Sequence, residues 1–364
     1  MKIGLMTWFE YYNYGTQLQA LALQEVLKKY GEVSVIDYVC SNAKRGIVKE
    51  SINRIKRNIP FLYTYKDKNI VEKCSKIKID RFRKDNLLLM ERQCDDDNID
   101  DLNSIFDVFV CGSDQIWSPL NYNPRFFLDY VNDTNRMLSY APSIGVSSIE
   151  DVKLKEEIMR LTRRFKYLSV REKTGAKILR SFGEHPVVTV DPTLLLNENS
   201  WKKYTSDLCS GERYLLLYLL RYNKKNIDIA YKLARCLDLN LKIIPVVNGV
   251  YNMEATLING VGTDDFLSLI KNAAFVCTDS FHGSIFSLIF KKQFITFDRF
   301  KENEKDNQNS RVYDFFAEIG LLDRIFKEKC PRNKIDYGSV DNRITVLRNK
   351  SLQYIDSFFA DFEK

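Results

Sequence analysis

Thr278-Asp279-Ser280-Phe281-His282-Gly283-Ser284 follows a short apolar run, Ala273 to Cys277, and precedes residues with a helical period, Ile285, Phe286, Leu288 and Ile289. The pattern predicts a strand, a tight turn and the first turn of a helix. The same alternation extends to both sides. Strands are expected at Arg213 to Leu220, Leu241 to Val247 and Gln293 to Phe297, with helices at Asn226 to Leu237 and Thr263 to Asn272. Strands alternating with helices indicate a parallel α/β sheet, in which ligands bind at the carboxyl ends of the strands. A helix N-terminus placed there offers N–H groups and a positive dipole end, which favours an anion. His282, one of only two histidines in 364 residues, lies in that turn beside Gly283. Ser280 and Ser284 flank it. Two readings stay open: a titratable group at a ligand site, or a packing histidine next to an ordinary Asp279 or Ser280 N-cap.

Upstream, a second series has the same form. Lys2 to Thr7 reads as a buried strand, Trp8 to Gly15 as a loop rich in aromatic and amide groups, and the residues through Leu27 as a helix. Gly4 and Gly15 do not make a G-x-G-x-x-G turn, so a nicotinamide dinucleotide is excluded. Asn13, Gly15 and Thr16 either cap that helix or reach a ligand from its start. Asp107 to Cys111 is a strand running into Gly112-Ser113-Asp114-Gln115-Ile116-Trp117. Asp114 and Gln115 with the Trp117 ring suit a sugar; the alternative has Trp117 filling core beneath a polar turn. Arg171 stands at the end of the strand Tyr167 to Val170, where it can hold a carboxylate or phosphate, or pair with Glu172 or Asp191. His185 reads as a surface residue.

The composition is that of a soluble globular chain, 45% apolar and 28% charged. Its length suits two domains. We expect a Rossmann-like unit over 1–195, a second over 210–330, a polar boundary at Leu194 to Gly211, and a terminal helix over 340–362. The first apolar run is short for a signal peptide, so a cytoplasmic location is expected. Eight cysteines show no C-x-x-C and no metal spacing with histidine, so neither disulfides, a metal nor a cofactor is expected. The formal charge is +7, and Lys44 to Lys84 holds fourteen Lys and Arg against four acidic residues. Such a block is either a solvated face or a patch for anionic head groups. Nucleic acid is disfavoured, because no recognised binding motif accompanies the charge.

In order along the chain, Asn13-Tyr14-Gly15-Thr16, Val110 to Trp117, Ser169-Val170-Arg171-Glu172, Val190-Asp191-Pro192-Thr193, Thr278 to Gly283 and Ser310-Arg311 together resemble the polysaccharide pyruvyl transferase family. The resemblance implies a GT-B-like fold, two Rossmann-like parallel-sheet domains facing a central cleft. It implies transfer of pyruvyl from phosphoenolpyruvate to two hydroxyls of a capsule, exopolysaccharide or cell-wall sugar, often lipid-linked. It further implies His282 as acid/base and Arg171 as its catalytic partner. The donor would be held by Ser280, Gly283, Ser284 and Arg311, and the acceptor by Asn13, Gly15, Asp114, Gln115 and Trp117. The chain departs from some members by having Ser280-Phe281 where they carry a basic residue before the histidine. A nucleotide-sugar glycosyltransferase and a non-catalytic glycan binder are the alternatives on the same fold.

Overall fold

The computed structural model describes residues 1–40, 66–208, 211–246, 255–304, 307–329, 331 and 333–364. Most of the basic block, up to residue 65, lies outside the described residues. The first sheet has the order β2-β1-β3-β4, all parallel, from β1 (Lys2–Met6), β2 (Glu32–Val35), β3 (Val108–Cys111) and β4 (Met137–Ser139). β1 is central, with Ile3 opposite both Val33 and Val108. Its continuous apolar run is what a parallel strand covered on both faces requires. A two-stranded piece, β5 (Ser169–Val170) and β6 (Val187–Val188), continues this half through the bridge Leu138 to Tyr167. The second sheet, order β11-β10-β7-β8-β9, contains β7 (Tyr214–Tyr218), β8 (Asn240–Ile244), β9 (Thr256–Leu257), β10 (Phe275–Thr278) and β11 (Gln293–Thr296). Both α/β series anticipated from the sequence are present, in a GT-B-like arrangement.

The helix after β1, α1 (Tyr14–Leu27), is enclosed on almost every side, because it lies between the halves rather than on a surface. Its buried amides are matched to groups of other elements. Gln17 accepts from Thr263 of the second half, Gln19 donates to Thr7 and Trp8, and Gln24 donates to Asn86 and accepts from Leu88. The ring of Tyr14 stacks on Phe266 with centroids 4.7 Å apart. One apolar core therefore runs from the first sheet through α1 into the second. The basic helix α2 (Lys66–Asn86) flanks it and ties Lys78 to Asp265 across the boundary at 2.7 Å.

The remaining helices are α3 (Val152–Thr162), α4 (Lys173–Arg180), α5 (Glu198–Lys202), α6 (Lys224–Cys236), α7 (Thr263–Asn272), α8 (Phe281–Ile289), α9 (Ser310–Ile319) and α10 (Tyr337–Phe362). α5 falls in the stretch expected as a polar boundary. Its Trp201 is fully buried with the indole N–H on Thr193, which pins this connection. α10 starts on the second half, where Lys291 pairs with Asp341, and ends on the first. There Ser351 accepts from the Val190 N–H, Tyr354 donates to Ser139, and Phe359 stacks on Tyr30.

Candidate functional site

The carboxyl ends of the two sheets meet where β10 gives way to α8. Ser280 is the N-cap, accepting from the Gly283 N–H at 3.2 Å, and Thr278 accepts from the Ser280 N–H. Asp279 accepts the N–H groups of Leu220 and Arg221, tying the end of β10 to that of β7. Burial raises its carboxyl above the ordinary range against the pull of Arg299 and these N–H donors. The turn thus points the next side chain, His282, away from the second half and toward the first.

Apart from the edge of the neighbouring Phe281 ring, what meets His282 belongs to the first half. On one side is Gly15, in the first turn of α1. A Cβ there would lie 2.1 Å from the imidazole Nδ1, so only glycine allows this approach. On the other side Nε2 lies 3.4 Å from Oδ2 of Asp191, within ion-pair reach but without hydrogen-bond alignment. The same Oδ2 accepts from Nη1 of Arg171 at 2.7 Å. Oδ1 is fixed by the backbone and hydroxyl of Thr193, at 3.0 and 2.6 Å. Burial pushes the Asp191 carboxyl up, but His282, Arg171 and Thr193 together outweigh it, so the group sits far below the usual carboxylate range. Asp191 is the centre of the site.

Arg171 is buried and surrounded by carboxylates. Besides Asp191, Asp114 is 3.8 Å away and Glu172 3.9 Å away. Burial lowers its affinity for a proton, and these three more than restore it. Its guanidinium lies over the Phe281 ring, 4.7 Å from the centroid, so the residue standing where some relatives are basic receives a cation instead. Nε and Nη2 nevertheless lack a hydrogen-bond acceptor. Asp114 is held by the Thr16 hydroxyl at 2.8 Å, and Glu172 accepts from Ser143 and the N–H groups of Ile144 and Gly145.

Arg311, in the first turn of α9, is equally buried and differently placed. Nε and Nη2 donate to the carbonyl and side-chain oxygens of Gln308, and no carboxylate forms an ion pair with it among the described residues. Burial, then Arg171 and Arg299, lower its pKa to about 9. A guanidinium does not give up its proton in a protein at neutral pH, so the shift measures an uncompensated buried charge. Arg171, Asp191, Phe281 and Arg311 line one cavity of about 20 Å³, room for about one water.

The other expected site residues fall into two groups. Gly15, Asp114 and Arg311 gather around His282 and Arg171, as do Ser280 and Gly283 through the turn. Ser284 is turned inward, bonded to Ser280 and Thr296. Asn13 caps α1 through the Gly15 N–H, the plainer of its two readings. Gln115 is half-buried with Nε2 unpaired. Trp117 is fully buried, stacked on Phe127 at 4.8 Å with its N–H on Phe126. Its ring belongs to the core and is not open to a sugar. Asp191 was anticipated only as a structural partner of Arg171. The signal for more was its place after a strand in Val190-Asp191-Pro192-Thr193.

The sequence model described as polysaccharide pyruvyl transferase matches residues 13–299, from the first turn of α1 past the end of β11. The chain belongs to the polysaccharide pyruvyl transferase family. The matched region takes in His282, Arg171 and Asp191, and Arg311 lies beyond it. No curated protein matches the chain by sequence. Among solved structures, the UDP-N-acetylglucosamine 2-epimerase of Rickettsia bellii is similar with a TM-score of 0.50 and 9% identity, covering 99% of this chain and 97% of that one. The UDP-GlcNAc 2-epimerase of Neisseria meningitidis bound to UDP-GlcNAc has a TM-score of 0.47 and 10% identity, covering 97% and 93%. At such identity the likeness concerns the fold alone. As a member of this family the chain is a transferase, and among its described residues no helix is long and apolar enough to cross a membrane.

Proposed function

We propose that this transferase moves the pyruvyl group of phosphoenolpyruvate onto two hydroxyls of a sugar, forming a cyclic ketal and releasing phosphate. The observation that carries the reading is Arg311, a buried cation with no carboxylate ion-pair partner among the described residues, sharing a cavity with Arg171. A buried charge is costly unless paired, and a dianion with a carboxylate and a phosphate is a fitting partner for two guanidinium groups. Phosphoenolpyruvate is larger than the present space, so its entry requires the halves to part around it.

In the proposed reaction one sugar hydroxyl adds to C2 of phosphoenolpyruvate, and its proton passes to the imidazole of His282, replacing the one that group gives to C3. The C2–C3 double-bond pair takes a proton at C3 from the imidazole of His282, turning the methylene into a methyl group. The second hydroxyl then attacks C2, the C2–O bond to phosphate breaks, and phosphate leaves with that hydroxyl's proton. Arg171 and Arg311 would stabilise the anionic groups throughout. The acceptor would approach from the first half, beside Gly15 and Asp114. A sugar on a lipid carrier would bring the protein to an anionic membrane surface through its basic block.

The test is acceptor-dependent phosphate release from phosphoenolpyruvate over a panel of hexose and N-acetylhexosamine acceptors, free and lipid-linked. Phosphate accompanied by a pyruvyl mass gain on one acceptor is expected. Silence across the panel, with binding of a nucleotide sugar instead, would overturn the proposal.

A further inference from the structure

His282 belongs to the second half, yet the groups that define its surroundings come from the first. Gly15 packs against Nδ1, and Asp191 faces Nε2. Asp191 is wholly buried, and both of its oxygens are engaged from its own half, by Thr193 and by Arg171. The other charges near Asp191 are Arg171 at the end of β5, with Asp114 and Glu172 beyond it, and Arg311 on α9, which shares a cavity with Asp191 and Arg171. No further titratable group lies on α8 itself, and the nearest ring on that helix is Phe281. The carboxylate is thus the negative group nearest the imidazole, and its contact is long and unaligned. It supplies charge without trapping the proton in a hydrogen bond.

We propose that Asp191 is a positioning residue whose ionised carboxylate favours the doubly protonated, cationic form of His282, so that the imidazole meets the substrate as an acid. The proposal rests on the reading of His282 as the donor of the C3 proton and decides its order of action, acid first. It also makes the site composite, with the acid on one half and the charge that arms it on the other. The low proton affinity of Asp191 agrees with a carboxylate that stays ionised through the reaction.

The test compares wild type with Asp191→Asn, Asp191→Glu and Thr193→Val in steady-state turnover against pH, with thermal unfolding to verify folding. Asp191→Asn should lower kcat by about 100-fold and move the alkaline limb of the profile to lower pH, because a neutral amide no longer favours the acid form. The KM for phosphoenolpyruvate should not rise, since Arg171 is freed rather than lost. Asp191→Glu should recover part of kcat and of the limb, and Thr193→Val, which only loosens the carboxylate, should give a smaller change of the same kind. A folded Asp191→Asn with an unmoved limb and a raised KM would overturn the proposal and leave Asp191 as a support for Arg171. Imidazole nitrogen spectra give a readout free of turnover, because His282 and the exposed His185 are the only signals. A doubly protonated imidazole in wild type that becomes singly protonated at the same pH in Asp191→Asn supports the proposal; an unchanged pattern refutes it. A wild type that releases no phosphate while keeping the doubly protonated imidazole would sink the functional reading and spare the electrostatic one.

Discussion

The two buried arginines of the junction share a cavity and little else. Arg171, supplied by the first half, has Asp191, Asp114 and Glu172 within 4 Å and a ring beneath it. Arg311, supplied by the second, has a glutamine and two other cations. The same contrast extends to the halves. Of the acidic groups at the second half's strand ends, Asp279 is taken up by the backbone of the β7 end, and Asp298 by Tyr313 and Lys327. The first half therefore surrounds its cation with carboxylates, whereas Arg311 of the second has no ion-pair partner among the described residues and feels Asp114 and Glu172 only weakly against Arg171 and Arg299. A buried pair costs dearly to break, whereas a buried unpaired charge costs stability to keep and is retained for a ligand. On the proposed function, this difference favours the anionic donor binding against the second half.

The largest effect that bears on this contrast is His282→Ala. Loss of the acid should reduce turnover by about 10²- to 10⁴-fold, with the fold retained, since the imidazole makes no aligned hydrogen bond. Steady-state phosphate release together with a thermal melt measures both, and near-normal rates would remove His282 from the chemistry. Next is Arg171→Met. It leaves Asp191 buried without its cation, so the expected cost is about 3–5 kcal/mol in stability, read by denaturant unfolding. A loss confined to activity would mean that the carboxylates of the first half relax without their arginine.

Arg311→Met should behave in the opposite sense. Removing an unanswered cation leaves the melting temperature at or above that of wild type, while the KM for phosphoenolpyruvate rises about 10- to 100-fold, the worth of roughly 1.5–3 kcal/mol for a hydrogen bond to a charged group. Phosphoenolpyruvate should also raise the melting temperature of wild type more than that of the variant. If both arginine variants lost stability alike, the contrast between the halves would fail.

The parts of this arrangement that could be read in the chain are those with a period. The α/β series and the bounds of α7 and α10 follow from apolar spacing, and the turn at His282 from a strand meeting a helix. Partnership has no period. That α1 is enclosed on almost every side follows from Gln17, Gln19 and Gln24 finding partners far along the chain, which their spacing does not announce. Trp117 next to Asp114 and Gln115 has the composition of a sugar platform, and only Phe127 and the Phe126 carbonyl show that its ring is spent on packing. Asp191 is the sharpest case. A carboxylate after a strand and before a proline is common in turns, and its meaning comes from His282, ninety-one positions later and in the other half.

The smallest effect concerns the surface, where charge does not go unanswered in the same way. In the described part of the basic block, Lys76 pairs with Glu72, Lys78 with Asp265, Arg83 with Asp80, and Arg81 approaches Asp264. Lys73 and Lys84 are exposed and have no ion pair among the described residues. Each exposed cation near an anionic surface is worth about 1 kcal/mol and acts within a Debye length of about 8 Å at physiological salt. Sedimentation with anionic vesicles should therefore show modest binding that falls as salt rises, and Lys73→Gln with Lys84→Gln should weaken it by about 10-fold, near 1.4 kcal/mol. If the double variant binds as wild type does, α2 contributes only to the seam between the halves, where Lys78 already joins Asp265. If wild type ignores both vesicles and salt, the block is a solvated face and the proposed acceptor would reach its site without help from the membrane.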